Sequence, residues 1–213
     1  MPRGIDNVPE RGTGSKTNYI KLLEDGESCR IRFITEGDQI VSDYFHRVMK
    51  GKQFKGFTIC KQSLDEDCED CDDGDQAQLQ FLAWVWEYDH FHTEDGQNRT
   101  KIKIGSRTFY KEEVNEVKLM RYAAAHLGSI KSKWERNQTI TDRDFEWIRS
   151  GPKGDNRPSY TLEGDDPTKL SKAVKEAAAD IEDLETFAKA TAKSTPKTVN
   201  VKEVEEDDED SPF

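Results

Sequence analysis

A mainly β chain with helices is what this sequence predicts: five or six strands interrupted by one helix, forming a small barrel or sandwich with a second helix outside it. Three observations carry that prediction. Between residues 28 and 110, and again between 139 and 164, short runs alternate apolar and polar side chains as half-buried strands do. Around 114–127 and beyond 166 the apolar spacing becomes three and four, the period of an amphipathic helix. The chain of 213 residues has 33% apolar against 35% charged residues, which suits one domain of about 130–160 residues plus appendages.

Residues 1–18 are rich in Gly, Pro and charge and read as a flexible arm. In "SCRIRFI" (28–34), Cys29, Ile31 and Phe33 share one face and Ser28, Arg30 and Arg32 the other. "QIVSDYFHRVM" (39–49) is a second strand, and "KGKQFKGF" (50–57) a basic turn or hairpin bearing aromatics. "QLQFLAWVWEYD" (78–89) is apolar on both faces, as a central strand is, and a turn at "EDGQN" (94–98) leads to the strand "RTKIKIGSRTFY" (99–110). Val114, Val117, Met120, Ala124 and Leu127 are spaced as a helix stripe, with Gly128 placed to end it. "TITDRDFEWIRSG" and "RPSYTLEG" read as two more strands. A helix then spans 166–193, with Asp166 as N-cap, Pro167 at its first position, and a stripe of Leu170, Val174, Ala177, Ile181, Leu184 and Ala188. The domain therefore covers 19–165, with a cysteine loop at 58–76, and 194–213 form a linker and disordered acidic tail.

The net charge of −11 is concentrated. Glu203–Phe213 and Lys61–Asp75 each carry −7, which leaves the rest of the chain at +3. A mildly basic body keeps nucleic acid open as a partner despite the acidic total. No apolar run approaches the ~18 residues of a membrane span, and the N-terminus has no signal-peptide core, so a cytoplasmic location is expected. In a reducing cytoplasm, clustered cysteines favour metal binding over disulfides.

Cys60, Cys68 and Cys71 stand in "CKQSLDEDCEDCDDGD" with seven and two residues between them, and the two-residue gap lets two thiolates face one ion. Eight acids beside them disfavour thiolates unless a cation is present. One structural Zn2+ is therefore expected. Its fourth ligand is assigned to His46, across the hairpin. Cys29 is the rival, though it lies on the apolar face of its strand, and His90 and His92 read as surface histidines.

Basic and aromatic residues interleave in two further places. Arg47, Lys50, Lys52 and Lys55 surround Phe54 and Phe57, while Arg99, Lys101, Lys103 and Arg107 precede Phe109 and Tyr110. Single-stranded nucleic acid needs this mixture, with cations along phosphates and rings under bases. Trp84, Trp86 and Tyr88 share a face of their strand, either as stacking residues or as core. The sequence carries no phosphate loop, HExxH or nucleophile elbow, so no enzyme and no small-molecule substrate is expected.

The His…Cys…Cys-x-x-Cys loop in a strand-rich domain resembles the zinc-containing single-stranded DNA-binding proteins of tailed bacteriophages. The ending "DDEDSPF" is similar to the tails of bacterial single-stranded DNA-binding proteins. The resemblance implies an oligonucleotide-binding (OB) fold, a basic cleft for single-stranded DNA, zinc held by His46, Cys60, Cys68 and Cys71, and roles in replication, recombination and repair. It also implies a recruiting tip at Asp207, Asp208, Glu209, Asp210, Pro212 and Phe213. The alternative reading is a zinc-containing adaptor that contacts replication or transcription proteins without binding DNA. A metal-dependent nuclease is a weaker third reading.

Overall fold

Alternation of side chains fixes the first strand. In β1 (Ser28–Phe33), Cys29, Ile31 and Phe33 are wholly buried while Arg30 is exposed. The structure, a computed structural model, describes residues 18–50, 53–155 and 157–193. The other strands are β2 (Val41–Lys50), β3 (Gln53–Ile59), β4 (Gln78–His92), β5 (Thr100–Ile104), β6 (Arg107–Ala123), β7 (Arg143–Ser150) and β8 (Ser159–Pro167). The helices are α1 (Glu69–Asp72), α2 (Leu127–Asn137), α3 (Lys172–Ala179) and α4 (Leu184–Lys193). The protein is thus α+β, and its described residues form one antiparallel sheet of eight strands rather than five or six.

Strand β4 organises the sheet because both of its faces are apolar. One edge pairs first with β2 (Val41↔Leu82) and then with β1 (Phe33↔Val85), and the other pairs with β6 over most of its length. From β4 one arm runs through β1 and β7 to β8, another through β2 to β3, and a third through β6 to β5. Among the described residues no ladder joins β6 to β8, so the sheet is open. These two strands meet through rings: Tyr122 lies 4.7 Å from Tyr160, which stacks on the buried Trp147 at 5.2 Å and 6°.

Two cores result. The first lies inside the curl of the sheet, where Ile31, Phe33, Phe81, Ala83, Val85, Met120, Phe145 and Trp147 meet Ile130 of α2. The second lies on the outer face of β4 and β6, where Leu82 and Leu119 pack with Phe45, Ile59, and Leu184 and Ala188 of α4. The C-terminal helical segment therefore sits outside the sheet, as its stripe requires. Among the described residues no helix is long and apolar enough to cross a membrane.

Three sequence expectations are corrected. The stretch expected as a helix from Val114 is the second half of β6. The spacing of three between Val114 and Val117 spans Asn115, whose φ of 53° inserts an irregular residue into the strand and imitates a helical step. The strand expected over 99–110 is the hairpin β5–β6, turned at Gly105 with φ 60°. The single helix over 166–193 is two: Pro167 ends β8, Ser171 caps α3 by accepting from the Val174 N–H at 3.3 Å, and Asp183 accepts from the Thr186 N–H at 3.0 Å as α4 begins.

Candidate metal centre and aromatic–basic surface

The β2–β3 hairpin builds the metal centre. His46 stands opposite Thr58 in the ladder, and Cys60, two residues further on, shares that face. The chain then reverses so that Cys68 stands just before α1 as its N-cap and Cys71 lies within it. The Nε2 of His46 lies 3.4 Å from Cys68 Sγ and 3.3 Å from Cys71 Sγ, while Cys60 Sγ lies 3.9 and 3.5 Å from those two sulfurs. A tetrahedral ion with bonds near 2.3 Å to sulfur and 2.0–2.1 Å to nitrogen requires separations of about 3.5–3.8 Å. These residues form a His/Cys3 site that can hold one metal ion.

Asp75 belongs to the same unit and was not singled out from the sequence. Its Oδ2 lies 3.1 Å from His46 Nδ1, which fixes the ring so that Nε2 faces the thiols. Burial raises the Cys68 thiol, but hydrogen bonds from the Cys71 and Lys61 N–H groups and from the neighbouring thiols outweigh it and bring it down to about 7. Cys71 is pushed up to about 12 by desolvation and by its sulfur neighbours. One thiolate thus opposes the next until a cation joins them. Cys29, the rival ligand, is fully buried in the first core, where desolvation raises its thiol far above the ordinary range.

His90 and His92 are not surface histidines. A bulge passes over Tyr88 in the pairing of β4 with both β1 and β6, so that His90 returns to the inward face that Glu87 occupies. His90 is 7% exposed, Glu27 5% and Glu87 0%. The His90 ring lies 2.8 Å from Glu87 through Nδ1 and 3.1 Å from Glu27 through Nε2.

The expected DNA-contacting residues separate into groups. Trp84 is covered by α4: its Nε1 donates to the Glu182 carbonyl at 3.0 Å and its ring meets Phe187 at 5.2 Å. Trp86 and Tyr88 lie half-buried beside it, 6.5 Å apart edge to face, with Arg30 over the Tyr88 ring. Arg99 is held in the β4–β5 turn by the Glu94 carbonyl at 2.9 Å. Lys101, Lys103 and Arg107 are exposed, while Phe109 is buried. By register Lys101 and Lys103 pair with Tyr110 and Thr108, on the face of the ribbon opposite Ile102 and Phe109. Arg47 is exposed on β2. Lys52, the side chains of Lys50, Phe54 and Lys55, and the tip Asp207–Phe213 lie outside the described residues.

Arg121 was not anticipated. It leaves the outer face of β6 between two rings, Tyr19 at 4.9 Å and Phe57. Its Nε and Nη1 are buried without a hydrogen-bond partner, and no ion pair to it is formed among the described residues. Burial pulls the guanidinium down to about 10, with the charge of Arg47 acting in the same direction. In comparisons with protein-family models, curated proteins and solved structures, nothing matches this chain.

Proposed function

We propose that this protein binds single-stranded DNA without regard to sequence, carries one structural Zn2+ at His46, Cys60, Cys68 and Cys71, and does no chemistry itself. Three thiolates and an imidazole at tetrahedral spacing suit zinc among the available divalent ions. The observation that carries the nucleic-acid reading is Arg121. A guanidinium buried between rings with no anion beside it among the described residues costs stability in a chain of net charge −11, where carboxylates to pair it are plentiful. A phosphate supplies the missing partner, and the rings of Phe57 and Tyr19 beside it offer apolar faces to bases. Arg47 extends the same positive surface, and Trp86 and Tyr88 lie on the same side of the sheet.

The test is fluorescence anisotropy of a labelled oligothymidylate at low salt. Arg47→Glu is expected to weaken binding by roughly tenfold, equally for all sequences, and Arg121→Lys to weaken it with the fold intact. Unchanged affinity in both would remove this surface from the interface.

The acidic segment completes the reading. Its seven carboxylates in Glu203–Phe213 resemble a short run of phosphates, so they compete weakly for the basic surface and are released when DNA occupies it. The tip then recruits replication and recombination proteins, with the Phe213 ring filling an apolar pocket and the acids meeting basic residues at its rim. Deleting 203–213 is expected to tighten DNA binding at low salt and less at high salt. Removing Phe213 alone is expected to abolish partner capture and leave DNA affinity unchanged. Capture that survives loss of Phe213 would exclude the ring as anchor.

One feature favours the adaptor reading. Tyr44 and Leu79 face each other across β2 and β4 beside the acidic metal lobe, 50% and 43% exposed, as a protein-contacting pair would be. Failure of wild-type protein to bind oligothymidylate would promote it.

A further inference from the structure

The cluster of Glu27, His90 and His92 is a separate feature at the other end of β4, and its hydrogen-bond pattern contains a contradiction. Both histidines are committed on their outer sides: His90 Nδ1 lies 2.8 Å from a Glu87 oxygen, and His92 Nε2 lies 2.8 Å from Glu112 Oε2. A carboxylate accepts only, so those nitrogens carry protons. The inner nitrogens, His90 Nε2 and His92 Nδ1, then hold lone pairs if the rings are neutral. Both face one oxygen, Glu27 Oε1, at 3.1 and 2.9 Å. Three acceptors cannot converge at those distances unless positive charge lies among them. Either two extra protons or one divalent cation supplies it.

We infer that Glu27, His90 and His92 form a second metal site, for a divalent first-row transition ion of the Zn2+ class, that ties the start of β1 to the end of β4. The donor set is two imidazoles and a carboxylate, and the three ligand atoms lie within 4.8 Å of one another. Bonds of 2.0–2.2 Å at tetrahedral angles place such atoms about 3.3–3.6 Å apart, a few tenths of an ångström wider than the 3.1 and 2.9 Å from Glu27 Oε1 to the two ring nitrogens. Each histidine gives its other nitrogen to a carboxylate, the arrangement that orients metal-bound imidazoles and raises their basicity. Glu27 is set as a ligand too: its Oε2 accepts from the Leu23 and Glu24 N–H groups, which leaves Oε1 aimed at the rings.

The alternative, two imidazolium rings, stacks like charges with centroids 4.1 Å apart at 20°. A single ion leaves both rings neutral and removes that repulsion. The local charge asks for it as well. Glu27, Glu87 and Glu112 face the site, and their cationic neighbours are Lys118, 2.9 Å from Glu87, and Arg99, 3.8 Å from Glu112. Access runs past the His92 side, where the Glu112 side chain is 40% exposed.

The test is elemental analysis of the full-length protein after equilibration with excess Zn2+ and gel filtration. Two equivalents per chain are expected for wild type, one for His92→Asn, one for Glu27→Gln, and one for Cys68→Ser, the last retaining the site at His90. Glu112→Gln keeps all three ligands and is expected to weaken the second equivalent about 10–100-fold. One equivalent in wild type that Cys68→Ser abolishes and His92→Asn retains overturns the inference. Two equivalents that survive both His92→Asn and Glu27→Gln overturn it as well, by moving the second ion elsewhere.

Discussion

Cys68→Ser protein is expected to lose metal binding at the His/Cys3 site and, with it, the order of residues 61–76. The reason is the lack of anything else to hold that segment. Between Lys61 and Gln76 only Cys68 is buried, and the run Lys61–Asp75 carries −7. Metal binding at such sites is worth about 10–16 kcal/mol in isolated zinc-binding peptides, far more than the few apolar contacts of Leu64 can replace. The two cores lie mostly outside this segment, so the sheet is expected to survive. Limited proteolysis read by mass spectrometry checks both halves: cleavage within 61–76 in the variant and in chelator-treated wild type, with the sheet resistant. His46→Ala is expected to do the same and Cys29→Ser to leave the metal in place. The reverse pattern would mean that the fourth ligand is Cys29.

Asp144→Ala is expected to be the most destabilising single change on the sheet, by about 3–5 kcal/mol. Asp144 holds two arginines of β1. Its Oδ1 accepts from Arg32 Nε at 2.6 Å and its Oδ2 from Arg30 Nη2 at 2.6 Å. The Arg32 side chain is 1% exposed and also donates to the Thr141 and Thr168 carbonyls at 3.2 Å, which ties β1 and β7 to the chain that follows β8. Removing the carboxylate leaves a buried guanidinium with neutral acceptors alone. Arg30 is partly exposed and recovers solvation, so Arg30→Ala is expected to cost far less, within about 1 kcal/mol. Urea denaturation followed by tryptophan emission measures both, and equal costs would contradict the role given to Arg32.

The legible parts of this fold were those in which one physical rule acted alone. Strict alternation in Cys29–Phe33 and the two-sided apolar run of 78–89 identified β1 and the central strand, and the gap between Cys68 and Cys71 with a histidine across a hairpin pointed to the His/Cys3 site that can hold a metal ion. The misread parts were those in which a single residue shifts the period. Asn115 turned a strand into an apparent helix, and the bulge at Tyr88 placed His90 with Glu87, where unbroken alternation puts them on opposite faces. A polar residue with a tolerance for positive φ inside a β-rich run was the available signal for the first. For the second, the charges within an otherwise apolar strand were the only hint. Asp75 and Arg121 depend on tertiary contacts, His46 with Asp75 and Tyr19 and Phe57 with Arg121, that no local pattern encodes.

Single-strand binding by the basic, aromatic surface is tested by the salt dependence of wild-type affinity for oligothymidylate beside a duplex of equal length. Binding at low salt is expected, with clear preference for the single strand and a logarithmic affinity that falls linearly with logarithmic salt at about 0.7 per phosphate neutralised. Absence of binding at low salt, or equal affinity for duplex, would contradict it.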